Sequence, residues 1–230
     1  MTKDPHGDQP IRTYGEPLEG ARAAMVMVHG RGATAESILT LADVFGQTGF
    51  AFVAPAAAAN TWYPHSFLAP IEQNEPWLSS ALAFIDRVMQ QVAAAGIPSE
   101  RTMLLGFSQG ACLALEYAAR HARPYGGVVA LSGGLIGTGS NPSSPDAAPP
   151  DDKAFDYDGT LDGTPVFLGC SDVDAHIPVR RVHQSTEALR RLGANVTERI
   201  YPGMGHTVNE DEVAFVRDLV TRLVAPPGQA

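Results

Sequence analysis

Three short stretches of this 230-residue chain carry side chains suited to attack on a carbonyl carbon. Gly106-Phe107-Ser108-Gln109-Gly110 fits G-x-S-x-G and lies between the apolar run Met103-Leu104-Leu105 and a helix-forming stretch. A strand-to-helix turn of this kind is sharp, and glycines two before and two after the serine remove Cβ atoms that would clash in it. Ser108 then stands at a helix N-terminus, where the dipole and free backbone N–H groups favour developing negative charge. The N–H of Gln109 is the natural oxyanion donor there. The bare pattern is weak in a chain with 23 glycines; its position separates a nucleophile from an ordinary Gly-Ser turn.

A serine hydroxyl needs a base, and in this chain order the base follows the serine. His206 fits best, in the Gly-rich stretch Tyr201-Pro202-Gly203-Met204-Gly205-His206 after an apolar strand and before the last helix. Of the seven histidines, His6, His29 and His65 precede the serine, His121 ends a helix and His183 lies within one. His176 is the competitor, and it reads as a loop residue near the acid. The acid that orients the imidazole must lie between serine and histidine, in a loop after a strand. Gly169-Cys170-Ser171-Asp172-Val173-Asp174 offers two carboxylates. Asp174, four residues before the helix-opening Pro178, is preferred, leaving Asp172 to cap the turn backbone.

The second oxyanion donor is expected from the loop after the first buried strand, His29-Gly30-Arg31-Gly32, with the Arg31 N–H as the choice. The Arg31 side chain has two readings, an anion-binding group or, preferred, a solvent-facing arginine held by Asp or Glu. His29 is read as packing or hydrogen bonding beneath the loop. Trp62, Tyr63, Phe67 and Leu68, with Trp77, either wall a substrate pocket or fill the core under a long loop, and the two readings are evenly balanced. No HExxH, EF-hand, P-loop or post-strand G-x-G-x-x-G pattern appears, so no metal and no cofactor is implied.

The elements that must hold these residues alternate. Residues 23–29, 50–54, 102–107, 127–131, 165–169 and 196–201 read as strands, and 36–47, 77–95, 109–121, 179–192 and 210–224 as helices. A mostly parallel twisted sheet with helices on both faces explains this economically. Residues 55–76 form a long loop rich in proline and aromatics. Residues 1–20 read as a frayed extension, 137–163 as a surface excursion and 226–230 as a mobile tail, within one domain spanning 1–230.

Composition narrows the partners. A formal charge of -9 with scattered Lys and Arg argues against nucleic acid or an anionic membrane surface. The polar start rules out a secretory signal and no apolar run reaches spanning length, which makes a cytoplasmic location the simplest. Cys112 and Cys170 cannot build a disulfide framework and read as buried small apolar residues. The expected partner is a small-molecule ester. Apolar residues in the sixties are open to two readings, a homodimer contact or a substrate entrance.

Taken in order, MVMVHGRG, LLGFSQGACLALEYA, GCSDVDAHIP and YPGMGHTV resemble the phospholipase/carboxylesterase family, across roughly residues 20–225. The resemblance implies an α/β-hydrolase fold without a large cap domain, acting on short acyl or aryl esters, thioesters or lysophospholipids. It puts the nucleophile on Ser108, the acid on Asp174, the base on His206 and the oxyanion donors on Arg31 and Gln109. A carboxylesterase is the expectation, with an acyl thioesterase or lysophospholipase as the alternative. A catalytically silent ligand-binding relative is the alternative outside enzymes.

Overall fold

The computed structural model of the chain describes residues 4–46, 48–137 and 155–225. Seven strands form one sheet in the order β1-β3-β2-β4-β5-β6-β7. They are β1 (Ile11–Gly15), β2 (Ala23–Val28), β3 (Phe50–Pro55), β4 (Thr102–Phe107), β5 (Gly127–Leu131), β6 (Pro165–Ser171) and β7 (Asn195–Tyr201). All neighbours pair in parallel except β1, which runs antiparallel to β3.

The helices are α1 (Ala35–Phe45), α2 (Trp77–Ala94), α3 (Gln109–Arg120), α4 (Val179–Arg191) and α5 (Glu210–Val224). Their apolar stripes cover both faces of the sheet, as the unbroken apolar strands require. Ala24, Val26 and Val28 of β2 join the core made with α2, α3 and α4. The alternate residues Ala23, Met25 and Met27 join a second core made with α1 and α5. Local chemistry sets the ends: Thr34 and Asn209 cap α1 and α5 in reciprocal capping boxes, and Gly46 closes α1 with a left-handed φ of 48°.

Two expectations are corrected. From residue 4 onward the N-terminal segment is packed, not frayed: β1 extends the sheet, and His6 is fully buried between Trp62 and Trp77. Its alternation is hard to read because an edge strand leaves most of its side chains in solvent, and four of the five in β1 are exposed. The excursion expected over 137–163 lies partly outside the described residues, at 138–154. Its end packs inward, with Leu161 buried and Tyr157 donating to buried Glu116 at 2.9 Å. The expected tail, 226–230, lies outside the described residues.

Both cysteines are free and buried, and burial pushes the Cys112 and Cys170 thiols up to about 12. Among the described residues no helix is long and apolar enough to cross a membrane.

Glu212, in the first turn of α5, is fully buried against β6, where a side chain at Gly169 would collide with its carboxyl. One carboxyl oxygen accepts the Asn209 N–H at 2.9 Å, and the other has no hydrogen-bond partner. Burial pushes its pKa up to about 7. A folded-state value above the unfolded one gives stability that is complete below about pH 4.5 and is lost as pH rises through about 7. The shift corresponds to about 3 kcal/mol. Urea unfolding of Glu212→Gln, which keeps an acceptor for Asn209, should lack this decline between pH 5 and 8, so the variant gains on the wild type as pH rises. An identical pH dependence in both proteins would contradict the assignment.

Candidate active site

The site stands at the C-terminal edge of the sheet. β4 ends at Phe107 and α3 begins at Gln109, so the chain reverses direction within Ser108, whose backbone is held at φ 54° and ψ -119°. Few residues adopt that conformation without a reason, and non-glycine strain of this kind clusters at functional positions. The turn is pinned by the Ser108 N–H to Leu131 O at 2.9 Å. A Cβ on Gly106 would run into the Gly110 carbonyl, and one on Gly110 into the carbonyls of Val28 and His29. Both glycines are therefore required by close backbone approach.

β7 leads into the stretch 202–206, where Gly203 and Gly205 take left-handed φ values of 66° and 77°. The loop after β6 fixes this one: Asp172 Oδ1 accepts from Gly203 N–H at 2.7 Å and Ser171 Oγ from Gly205 N–H at 3.0 Å. His206 then reaches Ser108 Oγ with Nε2 at 2.8 Å and Asp174 Oδ2 with Nδ1 at 2.7 Å. Phe107 and His176 pack on the imidazole with ring centroids at 5.0 and 4.7 Å.

Asp174 has a fully buried side chain. Burial works to raise its pKa, but hydrogen bonds from His206 and from the amides of His176 and Ile177 outweigh it and hold the carboxyl below the ordinary value. An ionised carboxylate at Nδ1 keeps that nitrogen protonated and leaves Nε2 as the acceptor facing the serine hydroxyl. The arrangement can take a proton from Ser108 and return it to a leaving group.

The Gln109 N–H opens α3 and so has no partner within the helix. Its side chain has a role that its sequence position does not reveal. Oε1 accepts Trp62 N–H at 2.9 Å and Nε2 donates to Tyr63 O at 2.8 Å, bracing the long loop against α3. In the other loop Gly32 N–H is given to Asn60 O at 2.8 Å, and Arg31 lines the cleft beside Ser108 and Gln109. His29 lies buried beneath it, bonded through Nδ1 to Gly30 O at 2.8 Å and through Nε2 to Ala57 N–H at 3.0 Å.

The cleft over Ser108 has a volume of about 520 Å³, with apolar walls from Tyr63, Phe67, Cys112 and Ile177. The four aromatic-loop candidates divide. Tyr63 and Phe67 line it and are also buried in the core, whereas Trp62, fully buried with its indole N–H on His29 O at 2.8 Å, and Leu68, packed on the core, do not line it. Periodicity fails in this loop, so it could not separate wall from filler. The structure also replaces the carboxylate expected to hold Arg31: the guanidinium donates to Thr61 Oγ1 at 3.1 Å, Pro64 O at 3.0 Å and His65 O at 2.8 Å. Among the described residues no cluster of three or more His, Cys, Asp or Glu side chains could hold a metal ion.

Residues 15–223 match the family model described as Phospholipase/Carboxylesterase. A phospholipase/carboxylesterase crystal structure from Dyadobacter fermentans is 43% identical, over 93% of this chain and 96% of that one, with a TM-score of 0.82. Esterase PE8 shares the fold at 21% identity and a TM-score of 0.71, over 94% of this chain and 98% of that one. Among curated relatives, acyl-protein thioesterase 1 of Gibberella zeae is 29% identical over 143 residues, which is 62% of this chain and 57% of that protein. The match to that of Candida albicans is 30% over 138 residues, 60% and 56% of the two chains. The chain thus spans little more than half the length of these curated relatives.

Proposed function

We propose, from the premise that the chain belongs to the phospholipase/carboxylesterase family, that it is a serine carboxylesterase acting on short- to medium-chain or aryl esters. The observation that carries the reading is the continuous relay from Ser108 Oγ through His206 to the buried Asp174, with links of 2.8 and 2.7 Å, at the base of an open cleft. Ser108 Oγ bonds to the ester carbonyl carbon as its proton passes to His206 Nε2, and the Arg31 and Gln109 amides hold the oxyanion. The tetrahedral intermediate collapses, the C–O bond to the alcohol breaks, and His206 returns the proton to the departing alcohol. Water then attacks the acyl-enzyme, losing a proton to His206, and the acid leaves as Ser108 regains it.

The second reading, an acyl thioesterase, rests on the likeness to the acyl-protein thioesterases. Rates on p-nitrophenyl acetate, butyrate, octanoate and palmitate, set beside thioesters of the same acids, decide between them. The carboxylesterase reading expects turnover strongest on butyrate and octanoate, a fall at palmitate and no preference for the thioester. A palmitoyl thioester turned over faster than every ester would replace the carboxylesterase with the thioesterase.

A further inference from the structure

The charge around Ser108 runs against the charge of the chain. Acidic residues outnumber basic ones by 25 to 16, yet among the described residues Arg31, His65, His176 and His206 line the cleft and no Asp or Glu does. Asp174, the nearest acid to the imidazole, has a fully buried side chain. Among the described residues Arg31 is held in place without being neutralised. Its three acceptors, Thr61 Oγ1, Pro64 O and His65 O, are all uncharged. They occupy both N–H groups of Nη1 and one of Nη2. A guanidinium carries five, so among the described residues the Nε–H and one Nη2 N–H are left over. A fixed, exposed cation with two donors unused by the described residues, at a concave site whose described lining holds no acid, is built to receive a planar anion.

Resting on the carboxylesterase reading above, we propose that Arg31 is a specificity-determining residue and that the preferred substrates carry a carboxylate on the acyl side, as half-esters of dicarboxylic acids do. The acyl side follows from the cleft's plan. Arg31 shares its cleft with Ser108, Gln109 and the apolar walls, whereas a second cleft of about 400 Å³ opens beyond His206 against Thr207 and Val208, beside the group that protonates the departing alcohol. The apolar walls take the methylenes, and Arg31 takes the terminal charge.

The test compares monoethyl adipate with its uncharged isostere ethyl adipamate, following ethanol release by wild type, Arg31→Lys and Arg31→Gln. Wild type should favour the anion in kcat/KM by about 10- to 100-fold, the scale of a hydrogen bond to a charged group. The ratio should fall to about 1 in Arg31→Gln, while Arg31→Lys, a point charge without the fork, should lie between. Raising ionic strength from about 0.01 to about 1 M should lower the wild-type ratio by screening the anion alone. This salt arm needs no variant to fold. Calorimetric titration with adipate gives a readout independent of turnover, with binding expected to wild type and lost in Arg31→Gln. Adipate binding of this pattern without hydrolysis of either ester would sink the carboxylesterase and leave the anion site standing. Hydrolysis of both esters with a wild-type ratio of 1 or less, or with the same ratio in Arg31→Gln, would overturn the anion site and leave the carboxylesterase.

Discussion

Ser108→Ala is expected to lower kcat/KM on p-nitrophenyl butyrate by about 10⁴- to 10⁶-fold, the loss that follows when a nucleophile acting as one unit with its base is removed. The folded state should barely notice. The side-chain bond of Ser108 runs to His206, its N–H bond to Leu131 O belongs to the backbone, and alanine keeps both the backbone bond and the small side chain that the elbow tolerates. Residual turnover is expected from the proposed oxyanion donors, the Arg31 and Gln109 amides, and from substrate binding. Circular dichroism and a thermal melt alongside the kinetics separate a lost nucleophile from a lost fold.

The second large effect separates two carboxylates two residues apart. Asp174→Asn should reduce kcat by about 10⁴-fold, because an amide N–H facing Nδ1 favours the tautomer with its proton on Nε2, which cannot accept one from Ser108. Asp172→Asn keeps an acceptor for the Gly203 N–H, which Asp172 Oδ1 takes at 2.7 Å, and should cost about tenfold or less through looser placement of the histidine loop. Saturating-substrate rates for the two variants test this directly. Equal losses would mean that the roles given to the two acids are wrong.

What the sequence makes legible depends on whether the signal is local. The elbow is read from five consecutive residues, because steric crowding at one turn dictates its glycines. The buried parallel strands are read from unbroken apolar runs, because both faces of the sheet are covered. Both kinds of signal fail in the loop over the cleft. Trp62 is core alone and Tyr63 is both core and cleft wall, and the backbone at both is held by a side chain about 47 positions away, Gln109. Arg31 shows the same limit. A carboxylate partner is the better expectation for an exposed arginine, but among the described residues the backbone carbonyls of residues 64 and 65 take that place and do not neutralise its charge. The coupling of the acid loop to the histidine loop through Ser171 and Asp172 is a further long-range contact; only the capping habit of Asp hinted at it. The family places the chain among α/β-hydrolases, and these contacts shape its cleft.

The most direct test of the central claim is covalent. Wild-type protein treated with a fluorophosphonate should gain one adduct, mapped by peptide mass spectrometry to Ser108, with labelling slowed in His206→Ala and absent in Ser108→Ala. An adduct on another residue, or labelling that persists in Ser108→Ala, would show that Ser108 is not the nucleophile.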